Sequence, residues 1–417
     1  SELAFYDLDP EKARLMEGLA RRLNERYANG LRLRTAESLA DAVDGAGFAV
    51  SSIGGSGAEV SERVYGSWFH AQDMRIPARY GIHQVVGDTC GPAGMMMGLR
   101  SIPATLGIAR ELEKRAPGAL LLNHSNPMAV LCRALNKYSG VKTVGICHGV
   151  QGGIAHAARL LGLPADELEC VWIGTNHYYW FTRVTHRGKD QYPALLKALG
   201  RPGDARTELS ARLSGAYGYA IVYPADDHII EFYPYAAQVR SQEELPYRLA
   251  ESALEHGFDE RVVPAARALP TPALRKAFFE KYRALLDAYQ APAGGDDEVG
   301  GEGLARLVSA VASGVRRVVI ANLPNQGCIP NPPTTALVEI EGVTDSQGVR
   351  GLSMGECPLP LKGILEKRFV WQELVADAAV KGDRRAALQA LLLDELALPP
   401  DKAEAMLGEL LAASQEL

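Results

Sequence analysis

Cys147 and His148 sit side by side in "VGICHGVQGG" (144–153), between an apolar run and a glycine pair. A second stretch, "WIGTNHYYWF" (172–181), has the same design: an apolar run, a turn, then Asn176-His177. A lone cysteine most often behaves as a small buried hydrophobe, and a lone histidine is most often held by ordinary hydrogen bonds. Together the two read differently. Each follows a predicted strand, so a thiolate and an imidazole can reach the same sheet edge and form half the shell of a divalent metal. The remaining positions would stay open for substrate and water, as a catalytic site requires.

The elements that must position these residues alternate along the chain. "GFAVSSIGG" (47–55) reads as a strand running into glycines. "SIPATLGIARELEKRAPGALLLNHSNP" (101–127) reads as a helix and then a strand, and "MAVLCRALNKYSGVKTVGICHG" (128–149) as another helix and another strand. Strands alternating with helices predict a doubly wound parallel sheet, with ligands bound beyond the strand C-terminal ends. Asn123, Asn126, Cys147 and His148 are then expected at one edge. "LAFYDLD" (3–9) reads as a buried strand ending in acids, and Asp9-Pro10 as a helix start. In doubly wound folds an acid at the end of the second strand meets the ribose of a dinucleotide, about 20 residues beyond a glycine-rich turn. Asp7 has that position, although no such turn precedes it in this sequence. Residues 1–183 are expected to form a Rossmann-like dinucleotide-binding domain. After about 183 the periodicity loosens, and 184–417 read as a mixed α+β domain folded over the first. Within it, 240–290 read as helical, "APAGGDDEVGGEG" (291–303) as an exposed loop, 314–342 as strands and 365–417 as helices broken at Pro399-Pro400.

Composition narrows the function. A chain of 417 residues has ample core. A net charge of −6 without a basic block argues against nucleic acid as a partner. Six cysteines occur without a CxxC pair, so a reducing cytoplasm is expected and a disulfide framework is not. Neither a signal peptide nor an apolar run long enough to span a bilayer is visible.

An ordered set of stretches resembles glycoside hydrolase family 4, the NAD- and metal-dependent glycosidases: "FYDLD" (5–9), "DMRIPARYGIHQVVGDTCGPAGMMMGLRSIP" (73–103), "NHSNP" (123–127), "GICHG" (145–149), "GTNHYYWF" (174–181), "YPADDHIIEFYPY" (223–235) and "NLPNQGCIPNPP" (322–333). The resemblance implies a lactate/malate dehydrogenase-like architecture, NAD and Mn²⁺ as cofactors, a small glycoside as substrate and a homodimer or homotetramer. It implies Cys147 and His177 as metal ligands and Asn126 as the holder of sugar hydroxyls. Asp7, Gly54 and Asn123 fall to the cofactor, and Arg100, Asn176 and His228 to the substrate. The residue after the metal cysteine divides the family. Cys147-His148-Gly149 resembles members acting on unphosphorylated α-glycosides or uronides. "GTNHYYWFTRVTHRGKDQYPAL" resembles the α-glucuronidase and α-galacturonidase branch, and "YPADDHIIEFYPY" the α-galactosidase and α-glucosidase branches, so the sugar stays open.

The implied chemistry explains these residue types. Hydride transfer from carbon 3 of the sugar to NAD⁺ makes a ketone and so acidifies the proton on carbon 2. A divalent metal stabilises the enolate, the leaving group is eliminated, water adds and the ketone is reduced back. Where phosphosugar members use a tyrosine as base, this chain has Asp227-His228, with Tyr223 nearby. Asp227 is the expected base, directly or by activating a metal-bound water, against the plainer reading of a solvated turn acid. His148 is the expected proton donor to the leaving oxygen. Tyr178, Tyr179, Trp180 and Phe181 are expected as core and wall rather than chemistry. By softness alone a Cys/His shell suggests zinc, whereas the resemblance implies manganese, because the other ligands would be sugar oxygens and water. Two competing readings share the architecture: an NAD-dependent 2-hydroxy-acid dehydrogenase, which needs no metal, and a non-catalytic sugar- or nucleotide-binding protein.

Overall fold

A computed structural model describes residues 1–54, 68–200, 207–223, 225–256, 272–289 and 303–414. The chain opens with β1 (Glu2–Phe5) and β2 (Arg32–Thr35), a parallel pair joined through the helix Pro10–Arg26. Asp9 caps that helix by accepting the Glu11 backbone N–H at 3.0 Å, as the Asp-Pro start predicts. The expected burial of the first strand does not occur: Leu3 is 43% and Leu8 90% exposed. Among the described strands β1 pairs only with β2, in a sheet of two strands against which the helix Pro10–Arg26 packs.

The central sheet has six strands. β3 (Phe48–Ser51), β4 (Leu120–Asn123) and β5 (Lys142–Gly145) run parallel. β4 is buried along its whole length, which is why "LLLN" carries no alternation. Next in the chain come β6 (Leu168–Thr175), β7 (Tyr178–His186) and β8 (Lys189–Asp190), a separate antiparallel sheet. β9 (Val318–Pro324), β10 (Leu337–Asp345) and β11 (Gly348–Gly351) return to the central sheet, giving the order β11-β10-β9-β5-β4-β3. The sheet therefore takes strands from both sides of residue 183. The join is narrow: β9 meets β5 antiparallel, with Gly145 opposite Asn322.

Three helices begin where loops leave the sheet region. Gly91–Arg115 follows Asp88-Thr89-Cys90, Met128–Tyr138 follows Asn126-Pro127, and Gly149–Leu161 follows Cys147-His148. The first runs 25 residues from a Pro in its opening turn to Lys114 and Arg115 in its last, both favourable for a helix dipole. The C-terminal half is mixed α+β, as expected. The helix Leu359–Lys381 packs on Gly91–Arg115 and Met128–Tyr138 and so ties the two halves together. The tail breaks before Pro400, as read from the sequence, and also at Gly382, which takes a left-handed φ of 64°. The expected loop at 291–303 lies, save for Gly303, outside the described residues. Among the described residues no helix is long and apolar enough to cross a membrane.

The hairpin β6–β7 carries the aromatic run. Tyr178, Tyr179, Trp180 and Phe181 are all at most 3% exposed, and Tyr178 stacks on Phe232 at 4.0 Å. Close approach within this hairpin depends on Gly174. A Cβ there would lie 2.3 Å from the Tyr178 carbonyl oxygen and 2.4 Å from the Tyr179 Cα, both backbone atoms that cannot swing aside. Gly174→Ala is therefore expected to cost about 3 kcal/mol, the upper end of overpacking effects. A lower urea midpoint at unchanged slope checks this.

Candidate metal and active site

Four elements deliver the site. The turn after β5 presents Cys147, and the two-residue turn between β6 and β7 presents His177. The loop before Gly91 presents Asp88, and the segment before Ile230–Phe232 presents His228. Cys147 Sγ lies 3.3 Å from His177 Nε2, and both residues are buried. Asp88, His177 and His228 bring donor atoms to within 4.8 Å of one another. The His177 and His228 rings meet edge to face at 4.5 Å between centroids.

His177 sits at φ 61°, a left-handed conformation. For a residue with a side chain this costs on the order of 1–3 kcal/mol and persists only where the surroundings enforce it. Its ring orientation is fixed by Thr89. The Thr89 hydroxyl donates to Asp88 Oδ1 at 2.7 Å, so its single proton is used. At 3.0 Å from His177 Nδ1 it can then only accept, which puts the ring proton on Nδ1. Nε2 is left with its lone pair towards Cys147. This is the hydrogen-bonded orientation that metal-binding histidines require.

Burial pushes the His177 imidazole down to about 3, helped by the neighbouring His228 charge, so the ring is neutral and its Nε2 is able to act as a ligand. His228 goes the other way. Burial opposes its protonation, but the hydrogen bond it donates to Asp227 and the charges of Asp88, Asp227 and Glu231 outweigh it and raise the ring to about 9. Asp88 is half-buried, and its desolvation favours the neutral form. The charges of His228 and His177 and the hydrogen bonds from Thr89 and Asn126 overcome that, holding its carboxyl below the usual range. Asn126 Nδ2 donates to Asp88 Oδ2 at 2.7 Å.

Glu231 fixes the loop that carries Asp88. Its carboxylate accepts the backbone N–H groups of Val85, Val86 and Gly87 at 2.7–2.8 Å. Glu231 lies three residues after His228, so one short segment both clamps the Asp88 loop and presents the imidazole. The paired acids before it divide their work. Asp226 caps the helix Glu208–Tyr217 by accepting from the Leu209 and Ser210 amides. Asp227 accepts from His228 Nδ1 at 3.0 Å and from His256 Nε2 at 2.7 Å. Burial works against ionisation of Asp227, but these two imidazoles hold its carboxyl well below the usual range.

The donor set fits a divalent cation. Two ligand atoms 3.3 Å apart subtend roughly a right angle at a first-row metal with ordinary bond lengths. Asp88 adds a hard oxygen to a thiol and the His177 imidazole, which moves the preference from zinc towards manganese.

The other sequence candidates fall in different places. Tyr223 closes one wall, its ring 5.9 Å from His177 and 5.6 Å from His228. His148 is exposed at the start of the helix Gly149–Leu161. Asn123 is fully buried, donating to the Ser125 carbonyl at 3.0 Å and accepting the Ser125 N–H at 3.3 Å, so its amide shapes the loop that leads to Asn126. Asn176 is 1% exposed and faces Glu339 of β10. Arg100 pairs with buried Asp73 and donates to Ser414. Asp7 is exposed after β1 and accepts the Asp9 N–H at 2.7 Å, and Gly54 is exposed beyond β3. Sequence reasoning missed Asp88, Thr89, Glu231 and His256. For Asp88 a signal existed, because "GDTCGP" has the polar turn and helix start of the other site loops.

Comparison with known proteins accounts for nearly the whole chain. The family described as "Family 4 glycosyl hydrolase" matches residues 1–163, and "Family 4 glycosyl hydrolase C-terminal domain" matches residues 172–397. An α-galactosidase of Bacillus subtilis (strain 168) is 27% identical, covering 100% of this chain and 90% of that protein. An α-galacturonidase of the same organism is 29% identical, covering 94% of this chain and 86% of its own length. A crystal structure of a 6-phospho-α-glucosidase from gut microorganisms, in complex with NAD and Mn²⁺, superposes with a TM-score of 0.74 at 20% identity, covering 100% of this chain and 91% of that one. The buried Cys–His pair at the strand ends thus belongs to a chain matched along both its halves, and that chain is a member of the family 4 glycosyl hydrolases.

Proposed function

We propose that this chain hydrolyses unphosphorylated α-glycosides, namely α-galactosides, α-glucosides or α-hexuronides, with NAD⁺ and Mn²⁺ as cofactors. The observation that carries the reading is the convergence of a thiol, two imidazoles and a carboxylate beside Asn126. When bound, NAD⁺ would take a hydride from carbon 3 and later return it, and Mn²⁺ would draw off the negative charge left when carbon 2 loses its proton. Cys147, His177 and Asp88 would hold the metal. Asn126, oriented by Asp88, would hold the sugar hydroxyls. Asp7 and Gly54 are the residues we assign to the dinucleotide.

Asp227 would manage the carbon-2 proton through His228. Both its oxygens are occupied by imidazole nitrogens, and His228, rather than Asp227, faces His177 and Asp88. Tyr223 would seal that side of the site against water. His148, exposed where the helix begins, would give its proton to the leaving oxygen on the open side. The His148 position after the metal cysteine, together with relatives named for unphosphorylated sugars, supports a substrate without phosphate.

Cys147→Ser is expected to abolish Mn²⁺ binding and hydrolysis while leaving the fold intact, and Asp88→Asn to weaken Mn²⁺ at least about tenfold. Circular dichroism with a Mn²⁺ titration reads both, and a Cys147→Ser protein that works after chelator treatment rules the metal site out. A panel of aryl α- and β-glycosides, uronides and 6-phosphoglycosides, assayed with and without NAD⁺, Mn²⁺ and reductant, tests the substrate. Free α-glycosides or uronides should be cleaved fastest, without net NADH, and a clear preference for the phosphorylated sugars contradicts the assignment. Reaction in D₂O should place deuterium on carbon 2 of the released sugar, because two-carboxylate hydrolysis leaves that proton untouched. Asp227→Ala should slow this exchange and hydrolysis together. Product without deuterium, and no isotope effect with substrate deuterated at carbon 2, defeats the mechanism.

A further inference from the structure

A buried polar row behind the His177 turn joins the two strands that feed the site. Gly145, Asn322 and Glu339 are register neighbours across β5, β9 and β10. Gly145 stands two residues before Cys147. A Cβ on it would come within 2.8 Å of the Asn322 Cβ, so β9 lies directly against the end of the strand that presents the thiol. At the other end of the row, the Glu339 carboxylate faces the side chains of Asn322 and Asn176 and the backbone N–H of His177. These approaches are looser than ordinary hydrogen bonds, and all three side chains are at most 1% exposed.

Two further contacts hold the hairpin to the same place. The Trp172 indole N–H donates to the Glu339 carbonyl at 2.7 Å, and Gln372 donates to Thr175 Oγ1 at 3.2 Å. A leucine at 339 would fill the same interior without desolvating a carboxyl group, so core packing does not account for the acid. Its surroundings do: it is the acid that faces the backbone amide of a ligand held in a left-handed turn.

We propose that Glu339 is a positioning residue of the metal site, setting the separation of Cys147 Sγ and His177 Nε2 through Asn322 on one side and the Asn176-His177 turn on the other. The inference rests on the metal-binding reading above. It is tested in the full chain with Glu339→Gln and Glu339→Leu. Mn²⁺ affinity is measured by the spin resonance of free Mn²⁺, NAD⁺ affinity by calorimetry, and ligation by Cys147 through the thiolate charge-transfer band of bound Co²⁺. Glu339→Leu is expected to weaken Mn²⁺ about 10- to 100-fold and to shift the Co²⁺ band, as loss of a ligand's supporting partner does. Glu339→Gln keeps an acceptor for the His177 amide and should lose less, with NAD⁺ affinity unchanged in both. Wild-type affinity and an unshifted band in both variants overturn the inference alone, whereas a wild-type chain that binds no Mn²⁺ saturably overturns the metal reading and this inference together. If Glu339→Leu does not fold, Glu339→Gln and Asn176→Ala decide. Weaker Mn²⁺ at unchanged metal-free melting temperature supports the role, and lower melting at unchanged Mn²⁺ affinity refutes it.

Discussion

The site depends on one imidazole being held where a chain rarely puts one. His177 occupies a left-handed position in a two-residue turn, with its ring buried against Cys147. A turn of this length leaves the backbone little choice once β6 and β7 are paired from Thr175 to Tyr178. The surrounding structure then supplies the constraint. Gly174 allows the two strands to close, the aromatic run beyond the turn buries the hairpin, and Thr89 fixes which ring nitrogen carries the proton. Removing any of these would free the turn to relax towards an unstrained conformation, and the lone pair would leave the cysteine.

The Asp88 side of the site is built on the opposite principle. Its loop is irregular, and loops hold position only where their backbone groups are paired. Glu231 pairs three consecutive amides at once. Burial pushes this acid up to about 7, against the pull of those same amides. The arrangement costs desolvation of a carboxyl group, and what it secures is the placement of a second carboxyl, Asp88, among two imidazoles. Rigidity is thus borrowed from a hairpin on one side and from a buried acid on the other.

The parts legible in the sequence were those with periodicity. Cys147 and His177 could be paired because each ends an apolar run, and the helix start at Asp9-Pro10 follows from proline chemistry. Asp88 lay in a polar turn with no period of its own, and its partner Asn126 is 38 residues away. Glu339 was harder still. In "ALVEIEG" it reads as the outward residue of an alternating strand, yet β10 lies in mid-sheet with β6 packed over it, so that the face is covered. β1 erred in the other direction: its apolar residues suggested burial, but a two-stranded sheet has too few neighbours to provide it. The narrow join of β9 to β5, with Gly145 facing Asn322, was also beyond pattern reading, because it turns on a single residue pair 177 positions apart.

Electrostatics gives the two imidazoles different tasks. Two rings 4.5 Å apart in a buried site cannot both carry a proton at small cost, and their environments drive them apart, His177 down to about 3 and His228 up to about 9. The neutral ring is the one whose free nitrogen faces the cysteine. The protonated ring is the one held by Asp227 and set beside Asp88, where its charge balances a half-buried carboxylate. A divalent cation among the same donors would provide that balance itself and repel the proton on His228. Metal binding would then be coupled to proton release from this ring, as it is wherever a cation displaces protons from its surroundings. His228 would thereby be moved from a fixed imidazolium towards a group able to accept a proton. The arrangement that keeps Asp88 ionised in the metal-free protein would be the same one that readies His228 for proton transfer once the cation is bound.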